Sequence, residues 1–188
     1  QWGMVAAFAA LSFREFGLLA CAVGLVLALR NRRWPEAALW VAGIATYAVL
    51  MHFHLSAAGQ YGLPEDRPRS WVGFGGSAFV VLSMQFTPLL GALPRWLVAL
   101  LVPLALLGLA GWKDRAGTHL ALVCFGYVAA FSVIGLTCNN YWGPLYAPLI
   151  YLGLAFAPES LRDLWRAART GSFAINHQPF NVVTAERM

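Results

Sequence analysis

The densest set of side chains able to make specific contacts is Thr137-Cys138-Asn139-Asn140-Tyr141-Trp142-Gly143-Pro144-Leu145-Tyr146-Ala147-Pro148. Asn139 and Asn140 offer donors and acceptors without the cost of burying a charge. Tyr141, Trp142 and Tyr146 can stack on the face of a sugar or an isoprenoid, and Pro144 and Pro148 restrict the backbone that carries them. The chemistry this set supports is recognition: it holds no nucleophile, general acid or metal set of its own. Aromatic and amide groups at the rim of an apolar segment contact a ligand or lipid headgroup, or they anchor the segment at the interface, because the ring buries while its polar edge stays wet.

Three further groups invite a chemical reading, each with a plainer one beside it. His52 and His54 flank Phe53, and neutral imidazole is a common haem or metal ligand. Two residues apart on a helix, however, they point about 200° away from each other. Their expected role is that of an interfacial pair beside a polar connection, with haem or chlorophyll ligation through His52 or His54 as the alternative. Glu65 and Asp66, followed by Arg67 and Arg69, could hold a metal-diphosphate or act as a base, but adjacent carboxylates beside arginines are expected to be solvated and mutually neutralised. Ser83, Gln85, Thr87 and Pro88 bring polar groups and a freed carbonyl into an apolar stretch, which predicts a kinked packing helix or, more sharply, a lined substrate groove. Cys21, Cys124 and Cys138 form no CxxC pair and are expected as buried thiols, with no metal site. No GxSxG, HExxH or Walker loop occurs, so no catalytic residue is assigned.

The elements that must position these residues are apolar. Hydrophobic residues make up 60% of the 188 and charged ones 11%, against about 25% charged in a soluble domain. The solvent for most of the chain is therefore expected to be lipid. Net charge is +5, with Lys113 the only lysine, and the basic residues fall in small clusters between apolar runs. That is the distribution of membrane-flanking anchors, and the continuous basic stripe of a nucleic-acid face is missing.

The expected fold is all-α, a polytopic transmembrane bundle of about six spans plus a C-terminal amphipathic surface helix. The spans are read at roughly 8–29, 37–58, 71–93, 97–112, 119–136 and from the 137–148 motif to Pro158. Gly73, Gly75, Gly76 and Ser77 would let another helix approach the third closely. Leu161, Leu164, Trp165 and Ala168 then line one face of a helix with arginines on another, as a surface helix requires. Residues 1–169 form one transmembrane domain and 170–188 a tail. Six full crossings place Arg30, Arg32, Arg33 and Arg95 on one side, and Lys113, Arg115, Arg162, Arg166 and Arg169 on the other. That split conflicts with the positive-inside rule. Gln1 is not an initiating methionine, and the chain is expected to be a fragment or processed piece of a longer protein.

Three features resemble the C-terminal half of bacterial polytopic glycosyltransferases of the GT-C superfamily, which use polyprenyl-phosphate-linked sugars. They are the short span closed by Arg30-Asn31-Arg32-Arg33, the succession of short Leu/Ala/Gly spans, and the run from Asn140 to Leu149. That run is similar to the family's Arg-Tyr-x-x-Pro-x-x-Pro-Leu entry to its late helices, with Asn140 where the family usually has arginine. The resemblance implies an inner-membrane protein related to, or cut from, a lipid-linked sugar transferase, lacking the catalytic end and shaping a groove for the carrier lipid. Its expected partners are membrane lipid, polyprenyl-phosphate lipid and other membrane chains. The alternative is a non-enzymatic subunit packed against a larger energy-transducing or photosynthetic complex.

Overall fold

A computed structural model describes residues 2–59 and 73–170. Among them the chain is helical throughout, with no strand: α1 (Trp2–Phe13), α2 (Gly17–Arg30), α3 (Trp34–Ala58), α4 (Gly76–Met84), α5 (Pro88–Gly91), α6 (Arg95–Gly111), α7 (Arg115–Ile134), a 3-10 segment (Thr137–Leu145) and α8 (Ala147–Thr170). Glu65, Asp66, Arg67 and Arg69, and the tail after Thr170, lie outside the described residues. Two helices, α3 with 25 residues and α7 with 20, are long and apolar enough to cross a membrane; α1, α2 and α6 are apolar but shorter.

The single span expected at 8–29 is instead two helices. The chain folds back at Arg14-Glu15-Phe16, bringing Gly17 against the backbone of Ala10 and Leu11, with Ala10 C at 2.8 Å from where a Cβ would stand. Only a residue without a Cβ permits that approach. The returning helix packs Cys21 and Ala28 with Ala7, Leu11, Ala37 and Trp40 into a small core of their own. The Arg-Glu pair is thus a turn rather than a charged step inside one helix.

The α2–α3 turn closes with the pair of hydrogen bonds that ends helices whose next residue is left-handed. Arg33 N–H donates to Ala28 O at 2.9 Å and Arg32 N–H to Leu29 O at 3.0 Å, with Arg32 at φ 55°. Pro35 then opens α3, where its missing N–H costs nothing.

The expected span 71–93 also divides. α4 stops at Met84, Thr87 is extended (φ −95°, ψ 145°) ahead of Pro88, and α5 is a single turn. The residue before a proline is pushed out of the helical region. Gln85 Nε2 donates to Leu93 O at 2.9 Å, closing the loop. Gly76, at φ +59°, starts α4 in a conformation that glycine alone adopts without strain. The small residues do permit close approach: the Gly75 position lies 2.5 Å, measured from an ideal Cβ, from Gly135 O at the end of α7.

α6 and α8 make the tightest helix contact, and they run parallel. Gly108 faces Gly153 and Ala157, and Gly111 faces Ser160, so the numbers rise together. Trp112 stacks on Phe156 (4.6 Å, 20°), and Lys113 Nζ donates to Asp163 Oδ2 at 2.9 Å. The expected separation at Pro158 is absent: α8 continues to Thr170. Proline removes one backbone bond, and the packing of Ala157 and Ser160 on α6 at that level holds the helix together.

These contacts fix the two ends of the bundle. α7 ends beside the 3-10 segment and the start of α4, and there Tyr127 OH donates to Phe16 O at 2.9 Å. The start of α2 therefore lies at that end, and its last residue at the other. The short connection 112–114 makes α6 and α7 antiparallel, so α6 also begins at the 3-10 end. The expected split of basic residues is corrected accordingly: Arg30, Arg32 and Arg33 share an end with Lys113, Arg115 and the arginines of α8, and Arg95 lies opposite. Glu36, in the first turn of α3, is within electrostatic reach of His119 in α7, as this placement requires.

Candidate functional site

The 3-10 segment sits where α2, α4 and α7 converge, and it closes over the larger core of the molecule. Its tight winding follows from its sequence. Pro144 cannot donate a backbone bond, and a Cβ on Gly143 would stand 2.5 Å from Ser83 C and nearer still to its O, at the end of α4, so a side chain would not fit. Trp142 is buried among Phe16 (4.8 Å), Phe131 (5.0 Å) and Phe79 (6.1 Å). Edge and tilted contacts at these centroid distances are favourable ring geometries.

Tyr146 is fully buried, and its hydroxyl meets Ser83 Oγ at 2.7 Å. Ser83 Oγ also lies 2.9 Å from Val80 O. One turn along, Thr87 Oγ1 donates to Met84 O at 2.8 Å and accepts from Tyr151 OH at 2.9 Å. Pro88 leaves Met84 O without its helical donor and the Thr87 hydroxyl supplies one, and two tyrosines reach across to the Ser83 and Thr87 hydroxyls, as polar groups away from water require. Ser83, Thr87 and Pro88 hold a kinked packing helix in place.

Of the five residues singled out in the sequence, Trp142 and Tyr146 are thus taken up by protein contacts. Asn139 is buried (5% exposed); its Oδ1 faces Cys138 Sγ at 3.8 Å, and its Nδ2 has no hydrogen-bond partner among the described residues. Asn140 is half-buried and Tyr141 exposed, so these two offer surface to a ligand or headgroup. The Arg14 guanidinium lies 5.8 Å from the Tyr141 ring and 5.9 Å from Phe16, within cation–π range. Sequence reasoning placed Arg14 inside a span and did not connect it to Tyr141, 127 positions away.

The main cavity lies beside this segment. A groove of about 890 Å³ runs between α4, α6 and α7, lined by Ala78, Val81, Leu82, Ala99, Val102 and Val128. Ser77, Ser132 and Thr137 supply hydroxyls, and Arg95 and Trp96, the first residues of α6, border it. Among the described residues Arg95 is the one ionisable residue in the lining. An apolar wall with a few polar groups is the usual build of a small-molecule or lipid site. The sequence signal for it was the Ser83–Pro88 break, which turns the chain back and opens the space; Arg95 read only as a turn residue.

His52 and His54 are both exposed near the end of α3, and the described residues bring no three metal-ligating side chains together. Cys21 and Cys124 are buried and Cys138 exposed, all three as free thiols. At the basic end, the hydrogen bond from Lys113 holds the Asp163 carboxyl below its usual range and, reciprocally, lifts the Lys113 ammonium above its own. No family model, curated protein or solved structure matches this chain.

Proposed function

We propose that the chain is a multi-pass protein of the bacterial inner membrane in which α4 and α5 dip in and return, shaping a groove for one chain of a carrier lipid. α1, α2, α3, α6, α7 and α8 are the six crossing segments. α1 and α2, at 12 and 14 residues, reach about 18 and 21 Å at 1.5 Å per residue. The bilayer thins beside them. The observation that carries the lipid reading is the groove of about 890 Å³ with its apolar wall and the single guanidinium of Arg95 at its border. A phosphorylated lipid with a long hydrocarbon chain fits that pairing of wall and charge. On this reading the protein is related to, or a piece of, a lipid-linked sugar transferase, and it supplies the carrier-lipid groove rather than the catalytic groups.

The test is lipid retention. The full chain is purified from bacterial membranes in mild detergent, and its bound lipids are extracted and weighed by mass spectrometry. A long-chain phosphorylated lipid co-purifies with the wild type, and Ala99→Trp, which fills the groove from the middle of its wall, loses it several-fold while melting at the same temperature. Equal retention by an intact Ala99→Trp protein refutes the groove.

The second reading, a non-enzymatic subunit of a larger complex, draws on α3. Beyond Tyr47 that helix exposes Val49, Leu50, Phe53 and Leu55 to no described neighbour. Haem or chlorophyll absorption in the purified protein, abolished by His52→Ala or His54→Ala, would decide for it.

A further inference from the structure

We propose that the last three turns of α8 are a binding surface for anionic phospholipid headgroups, held at the basic end of the bundle by the Lys113–Asp163 bridge. This rests on the membrane reading above but not on the groove.

Beyond Ser160 the helix divides into three stripes. Ser160, Asp163 and Ala167 face the bundle and keep the least exposure. Leu161, Leu164 and Trp165 are 47%, 44% and 61% exposed and form a continuous apolar stripe beside it. Arg162, Arg166 and Arg169 recur at i, i+4 and i+7, which makes a third, basic stripe flanking the apolar one. An apolar stripe edged by arginines is the pattern of a helix seated at the hydrocarbon boundary, its basic side chains reaching phosphates.

The depth agrees. α6 ends at Gly111, level with Ser160, so at 1.5 Å per residue Arg162 and Arg166 stand about 3 and 9 Å past it, and Arg169, about 14 Å past, turns its guanidinium back to the level of Trp165, about 8 Å past. The headgroup layer is about 5–8 Å thick in each leaflet. Arg169 lies 4.6 Å over the Trp165 ring, Arg162 Nε donates to Pro158 O at 3.3 Å, and Arg166 approaches Asp163 only to 4.0 Å. Among the described residues Arg162 and Arg169 have no carboxylate within 4.0 Å, and Arg166 shares Asp163 with Lys113. Asp163 is occupied by Lys113 at 2.9 Å, which fixes the rotation of the helix and keeps that carboxylate on the stripe facing the bundle.

Charge elsewhere supports the same partner. The α2–α3 turn adds Arg30, Arg32 and Arg33 at this end of the bundle, where Glu36, Asp114, Glu159 and Asp163 offset half of the eight basic residues and leave a net +4; among the described residues the opposite end holds Arg14, Arg95 and Glu15, a net +1. A one-sided basic collar around an apolar bundle attracts the anionic lipid of a cytoplasmic leaflet.

The experiment titrates phosphatidylglycerol, and separately phosphatidylcholine, into the full chain in detergent and follows binding by native mass spectrometry. The wild type binds phosphatidylglycerol more tightly, and added salt weakens the preference. Combining Arg162→Gln, Arg166→Gln and Arg169→Gln raises the apparent Kd at least fivefold, one basic side chain near a lipid surface contributing about that factor, about 1 kcal/mol. Should the triple variant fail to fold, Arg169→Gln alone, whose guanidinium lies over the Trp165 ring, gives a smaller rise in the same direction. Equal binding of the two lipids by the wild type, or an unchanged Kd in a folded triple variant, overturns the proposal. Specific loss of a co-purifying protein in place of lipid from the triple variant also overturns it, in favour of protein docking. A chain that stays monodisperse without detergent would instead defeat the membrane reading itself.

Discussion

Replacing Gly108 by alanine places a methyl group against the backbone of α8. The added Cβ lies 2.7 Å from Ala157 N and 2.9 Å from Gly153 C, and nearer still to Gly153 O. Ordinary contact at these atoms is about 3.5 Å, so the helices must part by more than half an ångström. Backbone cannot rotate away as a side chain does. Overpacking of this kind costs about 1–3 kcal/mol, and the gain of about 1 kcal/mol from replacing a helical glycine by alanine offsets part of it. We expect a net loss of up to about 2 kcal/mol, a fall in melting temperature of up to several degrees for a chain of this size. Separation at Gly108 also pulls Trp112 from Phe156 and Lys113 from Asp163, because all three contacts belong to one parallel helix pair. The assay is thermal unfolding of the detergent-solubilised protein, followed by circular dichroism. Gly3→Ala is the control, since a Cβ there meets nothing within 4 Å and only the helix-propensity gain remains. If Gly108→Ala melts at or above the wild-type temperature, α6 and α8 are not packed backbone to backbone, and the placement of the basic end loses its main support.

Ser83→Ala and Tyr146→Phe each remove one partner of a buried hydrogen bond, and a double-mutant cycle on unfolding should return a coupling of about 0.5–2 kcal/mol; additive effects would show that the two hydroxyls do not meet. Arg32→Gly relieves a left-handed residue that costs about 1–2 kcal/mol, less the entropy glycine loses on folding, so stability should rise by up to about 1 kcal/mol in the same assay, and a loss would contradict the turn geometry. The Lys113–Asp163 contact has a defined pH window. Asp163 is held below its usual range, so its contribution is present above the ordinary carboxylate pKa of 3.8 and is lost as pH falls through the lowered value. Lys113 is raised, so its share is full below 10.5 and is lost as pH rises through the raised value. The melting difference between wild type and Lys113→Gln should therefore be flat from mildly acid to mildly alkaline pH and shrink at both extremes; a slope across neutrality would point to another titrating partner.

What the sequence made legible is what a local pattern carries. Long apolar runs locate α3 and α7, and the 161–168 periodicity announces the stripe on α8, because length and spacing depend on neighbours along the chain alone. The fold-back at Gly17 was hidden. An Arg-Glu step in an apolar run is equally consistent with one helix whose charges sit at an interface, and the choice is made by whether residue 17 can touch residue 11, a contact with no local signature. Pro158 misled in the opposite direction, since a proline reads as a helix end unless the helix beside it is known to hold both sides. At the site, Asn139 to Tyr146 were recognisable as an unusual set, and the sequence could not say which rings faced inward. Burial of Trp142 depends on Phe16, Phe79 and Phe131, contributed by the α1–α2 turn, α4 and α7.

Orientation shows how one unseen break propagates. Hydropathy counts segments and alternates their direction, so treating residues 71–93 as a full crossing reverses every later helix, whereas treating 8–29 as one segment instead of two changes only where the first residues lie. The misplaced crossing put Arg95 with the α2–α3 arginines and set both against Lys113 and the arginines of α8. Once α4 and α5 enter and leave at the 3-10 end, the basic turns gather at one end of the bundle. On the membrane reading proposed above, that gathering agrees with the positive-inside rule, which the six-span reading of the sequence violated. Around the break Gln85 reaches Leu93 O and Thr87 reaches Met84 O, while Ser83 bonds Val80 O within α4 and meets Tyr146, so the polar groups of the returning segment find partners inside the bundle. The same break that sets the direction of α6 lies beside the groove bordered by Arg95, so the direction of the chain and the groove share one physical cause.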